Sequence, residues 1–197
     1  MYKRQVLIWL AFGFSLESFA LASEKDTVPV SDSNPTAGLE NLHQSATNGS
    51  AESQFELGLI YEYGRGVDQN DSKAAHWYEK SANQGFPQAQ YRLGVLCDNG
   101  WGKPIDKEKA FNLYLSAAEK GVELAQHDLA IAYFHGSGTS KNLMQAYKWL
   151  KIAELSGNPL MQKHLHLVSK EMSLDEIQSA SYLARYWLES SAAESGF

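Results

Sequence analysis

The sequence predicts an all-α fold: an α/α solenoid of 36-residue helix-turn-helix repeats, closed by a C-terminal capping helix. Three observations carry the prediction. Glycine recurs at Gly49, Gly85, Gly121 and Gly157, and glutamine at Gln54, Gln90, Gln126 and Gln162, always 36 residues apart. Leucine (Leu57, Leu93, Leu129) and alanine (Ala74, Ala110, Ala146) keep the same step without a gap. Within each unit the small and apolar residues fall at helical spacing. Self-similarity at one fixed period marks units that stack, because no single unit can bury its apolar face alone.

The elements follow in chain order. Residues 1–22 read as a secretory signal: Lys3 and Arg4, then the nine-residue apolar run Val6 to Phe14, then small residues at Ala20 and Ala22. The run is too short to span a bilayer as a helix, which leaves a retained anchor as the second reading. Residues 23–35 are polar, contain Pro29 and Pro35, and read as a flexible linker. The solenoid is expected over residues 36–190, with a disordered tail over 191–197. It opens with a lone second helix, Ala37 to Gly49. Full units then pair a first helix (about Glu52 to Glu62) with a second (about Asp71 to Asn83). Ser53, Leu57, Gly58 and Tyr61 form the apolar face of the first helix; Ala74, Trp77, Tyr78 and Ala82 form that of the second. Asp71 is the expected N-cap, its carboxylate bonding free N–H groups of the first turn. Gly85 ends the second helix in the left-handed conformation. A last first helix is expected at about Leu160 to Lys170. The segment Met172 to Ser190 departs from the repeat and reads as the cap. Its apolar face (Ile177, Ala180, Leu183, Ala184, Trp187) is expected to cover the last unit, with its other face polar.

The pattern Leu-Gly-X-X-Tyr, Gly-X-Gly, Lys-Ala-X-X-Trp-Tyr, seen in full from Phe55 to Gly85, resembles the Sel1-like repeat, a longer relative of the tetratricopeptide repeat. The resemblance covers most of the chain after the linker. It implies a right-handed superhelix, protein–protein scaffolding, and a place in the bacterial envelope, periplasmic or secreted.

Composition narrows the function. The formal net charge of −6 argues against nucleic acid, whose phosphates favour a basic face. The triplets Gly64-Arg65-Gly66, Gly100-Trp101-Gly102 and Gly136-Ser137-Gly138 invite comparison with phosphate loops. None continues as Gly-Lys-Ser/Thr, and each recurs at an inter-helix turn, so they read as turn glycines. Gly58 and Gly94 lie inside helices, where close helix approach would offset their cost, and Ala130 occupies the third copy. The six histidines include no pair four apart, so no helical metal clip is expected. No Gly-X-Ser-X-Gly motif occurs. Cys97, the one cysteine, stands at the repeat's tyrosine position and reads as a packing residue, with an intermolecular thiol as the alternative. No cofactor is expected.

A surface remains. By analogy with tetratricopeptide geometry, the first helices line the concave face. That face would carry Glu52, Phe55, Leu59, Glu62 and Tyr63, then Gln88, Tyr91, Val95, Asp98 and Asn99, then Leu124, His127, Ile131, Phe134 and His135. Phe55, Tyr91 and His127 align as an aromatic stripe suited to a peptide or a partner helix; the competing reading packs them between neighbouring helices. The expected protein is an exported, monomeric adaptor that binds another protein, without catalysis and without a membrane span once the signal is removed. An immunity or inhibitor protein against a secreted effector is the alternative. An envelope-glycan binder or hydrolase using Glu52, Glu62 and Asp98 is a minor one.

Overall fold

The structure, a computed structural model, describes residues 35–154 and 159–194. The signal and almost all of the linker read from the sequence lie outside the described residues. The chain divides into two units, Met1–Leu39 and Glu40–Phe197, and the repeats lie in the second. The described secondary structure is helical throughout. After α1 (Pro35–Thr47) come three hairpins: α2 (Ala51–Tyr63) with α3 (Asp71–Asn83), α4 (Pro87–Asn99) with α5 (Lys107–Glu119), and α6 (Glu123–His135) with α7 (Leu143–Glu154). Helices α8 (Pro159–Ser169) and α9 (Leu174–Glu194) close the chain. Each second helix packs on the first helix of the next unit, so the layers alternate along the stack. This is an α/α solenoid.

One loop design recurs. The first helix stops at a left-handed glycine, Gly64, Gly100 or Gly136, whose N–H donates back to the carbonyl of Ile60, Leu96 or Ala132. The second helix starts at Asn70, Asp106 or Asn142. Each side-chain oxygen accepts the N–H three residues on, Lys73 at 2.9 Å, Lys109 at 2.9 Å and Gln145 at 3.0 Å. The cap is therefore Asn70, one residue before the expected Asp71. Asn70 has the extended backbone a cap requires, whereas Asp71 is already helical and sets its charge in the first turn, where the helix dipole favours it. The cap's own N–H donates to an orphan carbonyl at the end of the first helix: Asn70 to Tyr61 at 2.8 Å, Asp106 to Cys97 at 2.9 Å, Asn142 to Tyr133 at 2.8 Å.

The second glycine of each triplet does something else. A Cβ on Gly102 would run into the backbone carbonyl of Asp71, and one on Gly138 into that of Lys107. Each of these two loops thus rests on the first turn of the preceding second helix, backbone against backbone. Ser72 seals the first of these contacts, its hydroxyl donating to the Gly102 carbonyl at 3.1 Å. The triplets are turn and stacking devices.

Inside the stack, glycine faces tyrosine. A Cβ on Gly94 would stand 2.8 Å from Tyr114 Cε1, and one on Gly58 would collide with the Tyr78 ring. The third unit reverses the sizes, with Ala130 on the first helix and Leu150 on the second, both fully buried. The glutamine column serves the next junction: Gln54, Gln90 and Gln126 are buried and donate to the carbonyls of Ala46, Ala82 and Ala118, eight residues back, at 2.9, 3.4 and 3.3 Å. Each of these last-turn or near-terminal carbonyls also accepts the N–H of the glycine three residues on, Gly49, Gly85 or Gly121, so the glutamine ties the helix start to a turn that is already closed.

At the C-terminal end, α7 receives both α8 and α9. Trp187 meets Trp149 edge-on at 5.4 Å, and Ala180 and Ala184 are fully covered. Leu183, expected on the covering face, is instead exposed; Leu188 packs in its place, because the face that meets α7 runs through Ala180, Ala184 and Leu188 at intervals of four. The outward face is not uniformly polar either, since Tyr182 and Tyr186 stack on each other in solvent. The helix runs on to Glu194, past the Ser190 limit read from the sequence.

Candidate interaction surface

The first-helix residues separate into three groups by depth. Glu52, Gln88 and Leu124, near the helix starts, and Asn99 and His135, at the helix ends, are exposed. Leu59, Val95 and Ile131 are half-buried. In the aligned stripe Phe55 and Tyr91 are half-buried as well and His127 is buried. Phe55 packs between Phe86, with ring centres 5.2 Å apart, and Tyr78, at 5.7 Å. Tyr91 lies against Tyr114. His127 is only 5% exposed. These three side chains sit between neighbouring helices, because the adjoining units close over that column.

Beneath the surface runs a polar track that the sequence does not announce. Glu62 of α2 accepts a bond from Tyr78 and pairs with Arg92 of α4 at 3.5 Å. The Tyr91 hydroxyl donates to Asp128 of α6 at 3.2 Å. The other Asp128 oxygen lies 2.9 Å from His127 Nδ1, and His127 Nε2 lies 2.9 Å from His164 Nδ1 of α8. Burial first, then Glu62, pushes the Tyr78 hydroxyl well above its usual pKa; burial and Asp128 do the same to Tyr91. Both stay protonated donors. Burial works to lower the Arg92 pKa, but Glu62 and Tyr63 outweigh it and raise it, so the guanidinium is always charged. The missed signal is a column: Arg92, Asp128 and His164 of this track stand 36 residues apart, and all three have ionisable side chains.

Two of the three carboxylates of the minor glycan-hydrolase reading have other partners. Glu62 is held by Tyr78 and Arg92, and Asp98 pairs with Lys107 at 2.8 Å. Among the described residues, no three His, Cys, Asp or Glu side chains converge on a metal position. Cys97 is buried, and that burial raises its thiol pKa.

At the helix ends Tyr63 and Phe134 are half-buried and His135 is exposed. Tyr63 has Arg65 over its face at 5.0 Å and Arg92 at 5.8 Å. Phe134 meets His135 at 4.9 Å and carries Lys141 over its ring at 5.2 Å. With Glu62, Asp98 and Asn99 these residues form two adjacent columns, 62/98/134 and 63/99/135, along one edge of the first-helix face.

The Sel1 repeat family matches residues 51–86, 87–122, 124–158 and 180–195. The chain belongs to the Sel1 repeat family. Arrays of this family generally serve protein–protein interaction. The first three matches coincide with the three hairpins, and the fourth falls on α9. There Ala184-X-X-Trp187-Leu188 repeats Ala146-X-X-Trp149-Leu150 with a step of 38 instead of 36, so a two-residue slip hid it from a fixed-period comparison. Two solved structures are similar. One is c5321, a protective antigen present in uropathogenic Escherichia coli strains displaying an SLR fold: 27% identity, TM-score 0.72, over 83% of this chain. The Sel1 chain spans 35% of that protein's length. The other is a Sel1 repeat protein from Oxalobacter formigenes, with 35% identity and TM-score 0.60, over 66% of this chain and 97% of that one. Among curated proteins none matches. No described helix is long and apolar enough to cross a membrane.

Proposed function

We propose that the protein is an exported adaptor that binds another protein along the ends of its first helices and performs no chemistry. One observation carries the reading. Asn99 and His135 are exposed beside the half-buried rings of Tyr63 and Phe134, over a track of paired polar groups that joins neighbouring helices. Such a surface presents amphipathic side chains with little left to order on binding, which favours affinity. Glu62 and Asp98 edge the site with negative charge already partnered, so they set register more than strength. Export rests on the N-terminal pattern of residues 1–22.

The experiment is in-cell photo-crosslinking with the full chain, followed by mass spectrometry. A photoreactive residue replaces Asn99 or His135 on the proposed face, or His76, which is exposed on the second helix. Capture of one defined partner from Asn99 and His135 but not from His76 supports the site. Equal capture from His76, or capture only there, overturns it. An intact-mass measurement on the exported protein completes the test, and a chain that still carries residues 1–22 overturns the cleaved signal in favour of a retained anchor.

A further inference from the structure

His127 and His164 come from different units, α6 and α8, with ring centres 4.9 Å apart and facing nitrogens 2.9 Å apart. A count of protons fixes how this contact works. Asp128 can only accept, so His127 Nδ1 carries hydrogen and points at it. In the neutral ring His127 Nε2 is then a lone pair, and it accepts from His164 Nδ1–H. One added proton still fits. On His164 it goes to the outer nitrogen and leaves the bond intact; on His127 it reverses the bond, with His164 accepting. Two added protons do not fit, because an N–H then faces an N–H between two cations, one of them buried.

We propose that this pair is an acid-sensitive latch that ties α8 to the third repeat and lets it go when both rings are charged. The inference stands apart from the partner surface described above. The groups that act on His164 are His127 and Asp128 of α6 and Lys163 of its own helix; among the described residues none of α7 or α9 does. Tyr91 of α4 reaches it only through Asp128. Burial first, then His127 and Lys163, oppose a charge on His164; Asp128 favours one and loses, leaving its pKa lowered to about 4. A base whose folded pKa lies below its free value of 6.5 gains protons on release. Opening of α8 is therefore favoured as pH falls from about 6.5 towards about 4, and the effect levels off below that. Among the described residues of α8, Met161, Leu165 and Val168 are buried and still hold the helix by apolar contact.

Hydrogen exchange on the full chain tests this. Protection of α8 amides, referred to those of α4 and corrected for the intrinsic pH dependence, should drop roughly tenfold or more between about pH 7 and about pH 5. His164→Gln retains an amide donor for His127 but cannot titrate, and should flatten the drop. An unchanged α8-to-α4 ratio in the wild type, or the same drop in H164Q, overturns the latch. Ring titration of the wild type by NMR needs no variant: a His164 that titrates near its free value overturns the latch, and one displaced well below it supports it.

Discussion

Gly94 and Tyr114 show what a single position decides here. The tyrosine ring occupies the space a Cβ would take, so Gly94→Ala overpacks a junction with no free volume and should cost about 1–3 kcal/mol. Gly94→Leu should cost more, enough to unfold a marginal array. The third unit suggests the compensation, since Ala130 and Leu150 stand at the equivalent positions and both are fully buried. Gly94→Ala combined with Tyr114→Leu should therefore recover part of the loss. Denaturant unfolding of the two single variants and the double gives the coupling, and strict additivity would show that the two positions do not meet as described. Single positions are also where the sequence is least legible. The Gln54, Gln90 and Gln126 column is visible as a repeat, but its bonds to carbonyls eight residues back are not, because spacing shows recurrence and not what a side chain reaches. Phe55, Tyr91 and His127 align equally well, and alignment alone cannot separate a surface stripe from a packed one. Depth depends on how far the neighbouring unit leans over.

Helices are the most legible level. The paired helices, their turns and the lone α1 follow from a period of 36 and from glycine placement, and the described boundaries of the paired helices fall within a residue or two of those expected. The C-terminal helix reads as a cap by its apolar face, and α9 does cover α7. Its kinship to the second helices is hidden by the slip of two residues, and its outward tyrosines by their spread along a mostly polar surface. If α9 holds the end of the stack, removal of residues 174–197 should expose Trp149 and leave a chain that aggregates, measured by sedimentation at matched concentration. Trp187→Ala is the milder test. It should lower stability by about 2–3 kcal/mol, less than for a fully buried tryptophan, because Trp187 is half-covered. A soluble, monomeric truncation with an unchanged melting temperature would mean that α9 is not a cap.

At the scale of the molecule, the stack is set by where the second and third loops rest on the unit before them. Gly66 and Gly102 occupy equivalent places and share a positive φ, 73° and 66°, so alanine strains both by about 1–2 kcal/mol. Only Gly102 has a neighbour, the Asp71 carbonyl; nothing lies within 4 Å of the Cβ position at Gly66. Gly102→Ala should thus be the more destabilising of the two. The difference, read from thermal unfolding of both variants, measures the contact between units free of the turn itself. Equal losses would mean that the loops do not set the stack. Polar pairings across units cannot be assigned from the sequence for a related reason: Glu62 with Arg92, Tyr91 with Asp128 and His127 with His164 join different positions of the repeat, and only the stacking brings them together.

The seats that receive the second and third loops are made of main chain, and main chain is the same whatever side chains surround it. A further copy of residues 87–122 would present the same glycine to the same carbonyl, whatever its exposed residues had become. Growth by duplication is therefore open to this chain in whole units and closed to it in fractions. A residue gained or lost inside the turn would miss the seat, while a complete unit would find it. The outer residues, released from any part in setting the pitch, are free to diverge copy by copy, so that new recognition can be acquired without rebuilding the frame that displays it.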